Sequence, residues 1–231
     1  MGDTEHKIDP LPASWQILRM KEERMVLGIL RVGSKAKPDY ILAVGKAKVA
    51  GKKHGTPTSN MPRTGPQSIS IEEAPPYLRQ FVYLINAAAH ESERGAVLVY
   101  ATMLDEQLKK VIEAFLVSHR AVVKLTEGFN APIGTFSTRT LLALALGLIS
   151  EKEYHEIELI RKIRNEFAHS IDMKFEHPSV SSRCKLLLGS IPDYPAPAEQ
   201  FIASAAGLVL NLLNRAHYAA RKRLSYRTWP L

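Results

Sequence analysis

Apolar residues recur at helical spacing from about residue 75 onward. The clearest stripe has successive spacings of 4, 3, 4, 3 and 4 residues, which keeps one face of a helix apolar and predicts a helix over about residues 91–118. Its members are Val97, Ala101, Leu104, Leu108, Val111 and Phe115. The chain shows no internal repeat and no alternation of strands with helices. Residues 71–231 are therefore predicted to form an all-α, helical bundle-like domain.

Further helices are predicted from the same kind of pattern and from helix start and stop signals. On the helix predicted over about residues 137–148, the side chains predicted to face inward are those of Leu141, Leu144 and Leu148. The strongest start signal is Ser150 with Glu153 three residues later, the spacing of a capping box, and it predicts a helix that begins at residue 151. The remaining helices are predicted over about residues 75–89, 137–148, 151–169, 179–189 and 197–224.

The first 70 residues differ from the rest. Residues 51–70 contain three prolines and three glycines without apolar periodicity, which is typical of a linker. Before them, Tyr40, Ile41, Leu42 and Val44 are compatible with the start of a strand. A small basic hairpin and a loosely ordered arm both fit this segment. The predicted fold is thus an all-α domain over residues 71–231, preceded by a basic, poorly structured N-terminal extension over residues 1–70.

Composition narrows the class of protein. The 231 residues are 45% hydrophobic and 23% charged, which favours a folded, soluble protein over a disordered one. The longest apolar run, residues 141–149, is well short of the roughly 20 residues that a membrane-spanning helix needs. Cys184 is the single cysteine, which excludes an internal disulfide and indicates a reducing compartment. A cytoplasmic location is therefore expected, without membrane contact.

The formal net charge is +8, and residues 1–70 carry twelve Lys/Arg against six Asp/Glu. Such a basic segment either binds a polyanion or serves as a solubilising tail, and charge alone does not separate the two. The residues predicted to bind nucleic acid are Lys46, Lys48, Lys52 and Lys53, although no aromatic residues lie among them to stack on bases. A second basic set extends a basic surface or forms a solvated helix end: Arg215, Arg221, Lys222, Arg223 and Arg227.

One arginine stands out on the predicted helix 151–169. On a helical wheel Arg164 falls inside the apolar arc, and a buried arginine needs a carboxylate, a subunit interface or an anionic ligand. Asn165 follows it, and His169 lies five residues on, at the end of the helix. The members of the arc are Ile157, Ile160, Ile163, Phe167 and Ala168.

The residues around Arg164 carry a resemblance to known families. Arginine and histidine separated by four residues resemble the R-x4-H signature of HEPN-type all-α domains, many of which are dimeric, metal-independent endoribonucleases. The wider segments resemble the mannitol operon repressor family: residues 95–115 with Asp105 and Glu106, and residues 132–139 (PIGTFSTR), 145–150 (ALGLIS), 153–154 (EY) and 159–169 (LIRKIRNEFAH). This second resemblance covers about residues 75–170. It implies a transcriptional repressor or co-regulator.

Two interpretations of these residues stay open. In a ribonuclease, His169 would supply acid–base catalysis, Arg164 would hold the phosphate, and Asn165 would orient one of them. In the structural interpretation, Arg164 pairs with Asp105 of the long helix, and His169 stabilises the helix end. The expected function is regulation, with a HEPN-like endoribonuclease and a non-catalytic dimerisation or interaction module as alternatives. The expected partners are DNA or RNA, a partner protein and a second copy in a homodimer. No cofactor or metal is predicted.

Overall fold

A computed structural model describes residues 16–19, 24–34, 37–46, 67–68, 76–187 and 196–230. The chain divides into two compact units, Met1–His90 and Glu91–Leu231. This division groups the first helix with the preceding strands, whereas the predicted helical domain, residues 71–231, includes that helix.

The first unit contains a small antiparallel sheet and one helix. Strands β1 (Gln16–Arg19), β2 (Arg24–Ser34), β3 (Lys37–Lys46) and β4 (Gln67–Ser68) are hydrogen-bonded in the order β1-β2-β3-β4. Helix α1 (Pro76–Ala89) packs against β3. Strands β2 and β3 form a hairpin that pairs Ser34 with Lys37. Of the two alternatives for the N-terminal third, the described residues therefore show the hairpin; the rest of that third lies outside the described residues.

Among the described residues of the second unit, helices are the only regular secondary structure, and the predicted all-α fold class is confirmed there. Its helices are α2 (Glu93–Phe115), α3 (Arg120–Thr126), α4 (Phe136–Ala145), α5 (Glu151–His169), α6 (Pro178–Cys184) and α7 (Pro197–Arg221). The long helices α2 and α7 form the main packing interface, while α4 and α5 also lie against α2. Helix α6 bridges α5 and α7.

The core is built on the predicted stripe of α2. Five of its six members are buried, and Phe115 at the end is partly exposed. A run of aromatic rings then connects the helices, with ring centroids 6.3 Å apart for Tyr100 and Phe201, 5.5 Å for Phe201 and Phe175, and 5.1 Å for Phe175 and Phe167. Each such contact contributes about 0.5–1.5 kcal/mol beyond the burial of its area. These rings fix α2, α5 and α7 around one centre.

Helix α5 begins and ends where the sequence predicted. The Ser150 hydroxyl accepts a hydrogen bond from the Glu153 amide, and the Glu153 carboxylate accepts one from the Ser150 amide at 2.8 Å. The other carboxylate oxygen of Glu153 accepts from Arg215 on α7 at 2.7 Å. Burial acts to raise the pKa of Glu153, but the bonds from Arg215 and Ser150 outweigh it and lower that pKa. The carboxylate thus stays charged and serves both contacts.

Helices α3 and α4 differ from the prediction. Helix α3 was not predicted, because seven residues are too few to show a helical period. Helix α4 ends at Ala145 rather than 148: Gly147 adopts a left-handed φ of 66°, and the Leu148 amide bonds back to the Ala143 carbonyl at 2.8 Å, which is a Schellman ending. The prediction that Leu141 faces inward is wrong, since its side chain is 58% exposed. The buried face of α4 is instead formed by Arg139, Thr140 and Ala143.

None of the helices in the described ranges combines the length and the apolar character that crossing a membrane requires.

We expect Ser150→Ala to lower the free energy of unfolding by about 1 kcal/mol, because the Glu153 amide loses its capping partner. Urea denaturation followed by circular dichroism measures the change. Ser118→Ala is the matched control, since Ser118 is exposed and lies outside any helix. Equal unfolding free energies for Ser150→Ala and the wild type would contradict the role of the cap.

We expect Cys184 to resist thiol reagents in the folded protein. Its side chain is buried, and burial raises the pKa of the thiol from 9.0 to about 12, so the reactive thiolate is scarce at neutral pH. Ellman's reagent at pH 8 should react with the urea-unfolded chain and only very slowly with the native one. Immediate reaction of the native protein would show that the α6 region opens readily.

Candidate functional site

The structure places Arg164 on the surface of α5, not on its buried face. The prediction that Arg164 lies inside the apolar arc is wrong, and so is the same prediction for Ala168, because both residues are exposed. Ile160, Ile163 and Phe167 are fully buried as predicted. A helical wheel superimposes all levels of a helix on one circle. Ile157 and Arg164 fall on the same side of that circle, but they lie two turns apart along α5. That side of the helix is buried at Ile157 and exposed to solvent at Arg164.

Asp105 pairs with Arg139, so the predicted pair with Arg164 is also wrong. The Asp105 Oδ2 atom lies 2.8 Å from Nη1 of Arg139, whose side chain is 8% exposed. Arg139 also donates from Nε to the Ile133 carbonyl and from Nη2 to the Thr126 carbonyl, both at 3.1 Å. All three guanidinium nitrogens therefore have acceptors. This one side chain fastens α4 and the loop after α3 to the middle of α2.

The environment of Asp105 is that of a structural carboxylate. Burial raises the pKa of Asp105 and, with the nearby charge of Glu106, outweighs the lowering effects of Arg139 and, last in order of size, of Arg164. Its second oxygen, Oδ1, is buried and has no hydrogen-bond partner among the described residues. Arg164 thus contributes to the field at Asp105 without bonding to it.

Arg164 and Asn165 are brought together, whereas His169 stands apart. Nη1 of Arg164 donates to Oδ1 of Asn165 at 3.1 Å. His169 is the last residue of α5 and is exposed, and its imidazole makes no hydrogen bond within the described ranges. The neighbouring Arg161 is occupied by Glu158, with two donor–acceptor distances of 2.8 Å. We call the exposed residues Arg164, Ala168 and His169, together with the partly exposed Asn165, the α5 face.

The opposite side of α5 is firmly anchored. Glu166 accepts hydrogen bonds from Ser179 and Arg183 of α6, and Ser204 of α7 donates to the buried Glu156. The loop that follows α5 is held to α2 as well: Arg94 donates to the Ser170 carbonyl, and the Phe175 amide donates to Glu93 at 2.9 Å. The α5 face therefore lies on a rigid support. No residue of the described chain is bonded across it.

The remaining predicted site residues belong to the N-terminal unit. Lys46 is the last residue of β3, and Lys48, Lys52 and Lys53 lie outside the described residues. Within the described ranges, no group of three or more His, Cys, Asp or Glu side chains is arranged to hold a metal ion. The sequence missed Arg139 as a key residue. Its only signal was its place in the PIGTFSTR segment, which gave no hint of burial.

Comparison with known proteins yields one distant structural likeness. No protein-family model and no curated protein matches the chain. Among solved structures, the chain is similar to the X-ray structure of the MtlR–HPr complex from Escherichia coli, with 20% sequence identity, a TM-score of 0.44, and coverage of 59% of this chain and 95% of the other. A likeness at this distance assigns neither a function nor a site.

We expect Arg139→Ala and Arg164→Ala to differ sharply in stability. Arg139→Ala leaves the half-buried Asp105 and the carbonyls of Thr126 and Ile133 without their donor, which should cost about 3 kcal/mol or more. Arg164→Ala removes an exposed side chain and should change the unfolding free energy by less than about 0.5 kcal/mol. Urea titrations of the two variants compare them directly. An equal decrease in the free energy of unfolding for the two variants would mean that Arg164 also stabilises the fold.

Proposed function

We propose that this chain is a regulator of the mannitol operon repressor type, a transcriptional repressor or co-regulator whose helical domain contacts nucleic acid through the α5 face. The observation that supports this most is the exposure of Arg164 and His169 on a helix whose other side is fixed by ion pairs and buried rings. A rigid surface bearing free donors loses little entropy when it binds.

The charge of α5 favours an anionic partner. Its exposed side chains include Lys152, Lys162 and Arg164, against a single exposed acid, Glu151. Nη1 of Arg164 is held by Asn165, and its remaining guanidinium donors are unused within the described part of the chain. A planar, oriented guanidinium suits a phosphate oxygen. The small Ala168 beside it lets a phosphate backbone approach the helix closely.

Binding fits this geometry better than catalysis does. Acid–base catalysis gains from a histidine that a second group orients and from donors shielded from water. In the described residues no group orients His169, and it stands in solvent. A catalytic site would need a second copy of the chain to enclose this surface. The expected homodimer stays a prediction.

The second candidate is a metal-independent, HEPN-like endoribonuclease that uses Arg164, Asn165 and His169. One observation favours it: all three side chains lie within six residues at one end of α5, and Asn165 already holds the arginine. A twofold pairing of two α5 faces would complete such a site. The non-catalytic interaction module is the outcome left if neither nucleic acid binding nor cleavage is found.

The test incubates the purified full chain with RNA in EDTA and, separately, measures its binding to duplex DNA over a range of salt concentrations. We expect intact RNA and salt-dependent DNA binding. Arg164→Ala should make the slope of log K against log salt shallower by roughly 0.9, because one phosphate is no longer neutralised.

Lys110→Ala is the matched control, because it removes one exposed cation from α2. A change in slope for Lys110→Ala as large as that for Arg164→Ala would refute the α5 face as the contact. RNA cleavage that is lost in both Arg164→Ala and His169→Ala, with circular dichroism unchanged, would establish the ribonuclease instead. Absence of binding and of cleavage would leave the interaction module.

A further inference from the structure

The residues at and beyond the end of α7 carry an unbalanced positive charge. Residues 221–230 contain four cations and no acidic residue, and every one of the ten is exposed. Arg221 lies over the ring of Tyr218, 5.8 Å from its centroid. The other cations have no ion-pair partner among the described residues. These cations are Lys222, Arg223 and Arg227.

Two large aromatic side chains lie among these cations and face solvent. Tyr226 is 73% exposed and Trp229 is 75% exposed. Single exposed apolar residues are ordinary in folded proteins. Here two aromatic rings lie four residues or fewer apart inside a cationic segment, so nucleic-acid bases could stack on the rings while the cations contact the phosphates. This interleaving is what the basic run from Lys46 to Lys53 lacks.

The segment is held in place although it is exposed. The Leu224 amide donates to the Phe115 carbonyl at the end of α2 at 2.7 Å. The Tyr226 ring meets the His119 ring edge-on, with centroids 6.5 Å apart and an interplanar angle of 84°. Beyond Lys222 the backbone is neither helix nor strand. The segment is therefore anchored as far as Tyr226 before a ligand binds, which reduces the entropy lost on binding.

We propose that residues 221–230 form a binding site for single-stranded nucleic acid, in which the cations contact phosphates and Tyr226 and Trp229 stack on bases. Unpaired bases are required because the rings have no access to bases inside a duplex. An anionic membrane surface fits less well, since interfacial binding usually relies on an amphipathic helix and this segment is not helical. The inference goes beyond the proposed regulatory function, because it names a different surface and a different form of nucleic acid.

The experiment uses the full chain carrying Trp15→Phe, which leaves Trp229 as the single tryptophan. Titration with a short oligothymidylate should quench the Trp229 fluorescence as a base stacks on the indole. In the wild-type background, Trp229→Ala should weaken binding roughly 5- to 100-fold. Arg223→Ala/Arg227→Ala should make the salt slope shallower by about 1.4, or about 0.7 for each phosphate that the variant no longer neutralises.

The control is Lys110→Ala/Lys124→Ala, which removes two exposed cations from α2 and α3, outside both proposed binding surfaces, and should leave the quenching intact. An equal loss of affinity in this control, or binding without quenching, would overturn the proposal. Tighter binding to phosphatidylglycerol vesicles than to the oligonucleotide would overturn it too and assign the segment to membranes. The two proposals fail separately: Arg164→Ala reports on duplex binding at the α5 face, and Trp229 quenching reports on this segment alone.

Discussion

A buried guanidinium is the constraint on which the arrangement of the helical unit depends. Arg139 is almost fully enclosed, so its charge must meet a carboxylate and its remaining donors must meet acceptors. Asp105 of α2 and the carbonyls of Thr126 and Ile133 supply them. Because these acceptors come from α2, from the last residue of α3 and from the loop before α4, one side chain on α4 fixes the positions of all three.

This arrangement also decides what Arg164 is free to do. Asp105 is the carboxylate that a buried Arg164 would need, and Arg139 already holds it. Arg164 is instead exposed on the side of α5 that is uncovered at this level, and Asn165 orients it. Helix α5 is fixed by Glu166, Phe167 and the loop contacts of Ser170, so its outer face needs no intramolecular partner. The proposed binding surface therefore does not compete with the Asp105–Arg139 salt bridge.

The sequence predicted most of the helical unit because the signals for it are local. The capping box at Ser150 and Glu153 set the start of α5, and the stripe of α2 follows directly from spacing. What failed depends on contacts between distant residues. Arg139 lies in a polar run, which predicts an exposed side chain. The backbone carbonyls that accept its hydrogen bonds have no sequence signature. The exposure of Arg164 depends on how far the neighbouring helices extend along the axis of α5. A helical wheel gives no information on position along that axis.

One shared carboxylate links two parts of the helical unit. Glu153 closes the first turn of α5 with one oxygen and holds Arg215, near the end of α7, with the other. Arg215 in turn donates to the Leu148 carbonyl at 3.1 Å, just ahead of that turn. The opening residues of α5 and the closing turns of α7 are thus coupled into a single cooperative element. A ligand that steadies the chain just past α7 would therefore slow amide hydrogen exchange at the beginning of α5.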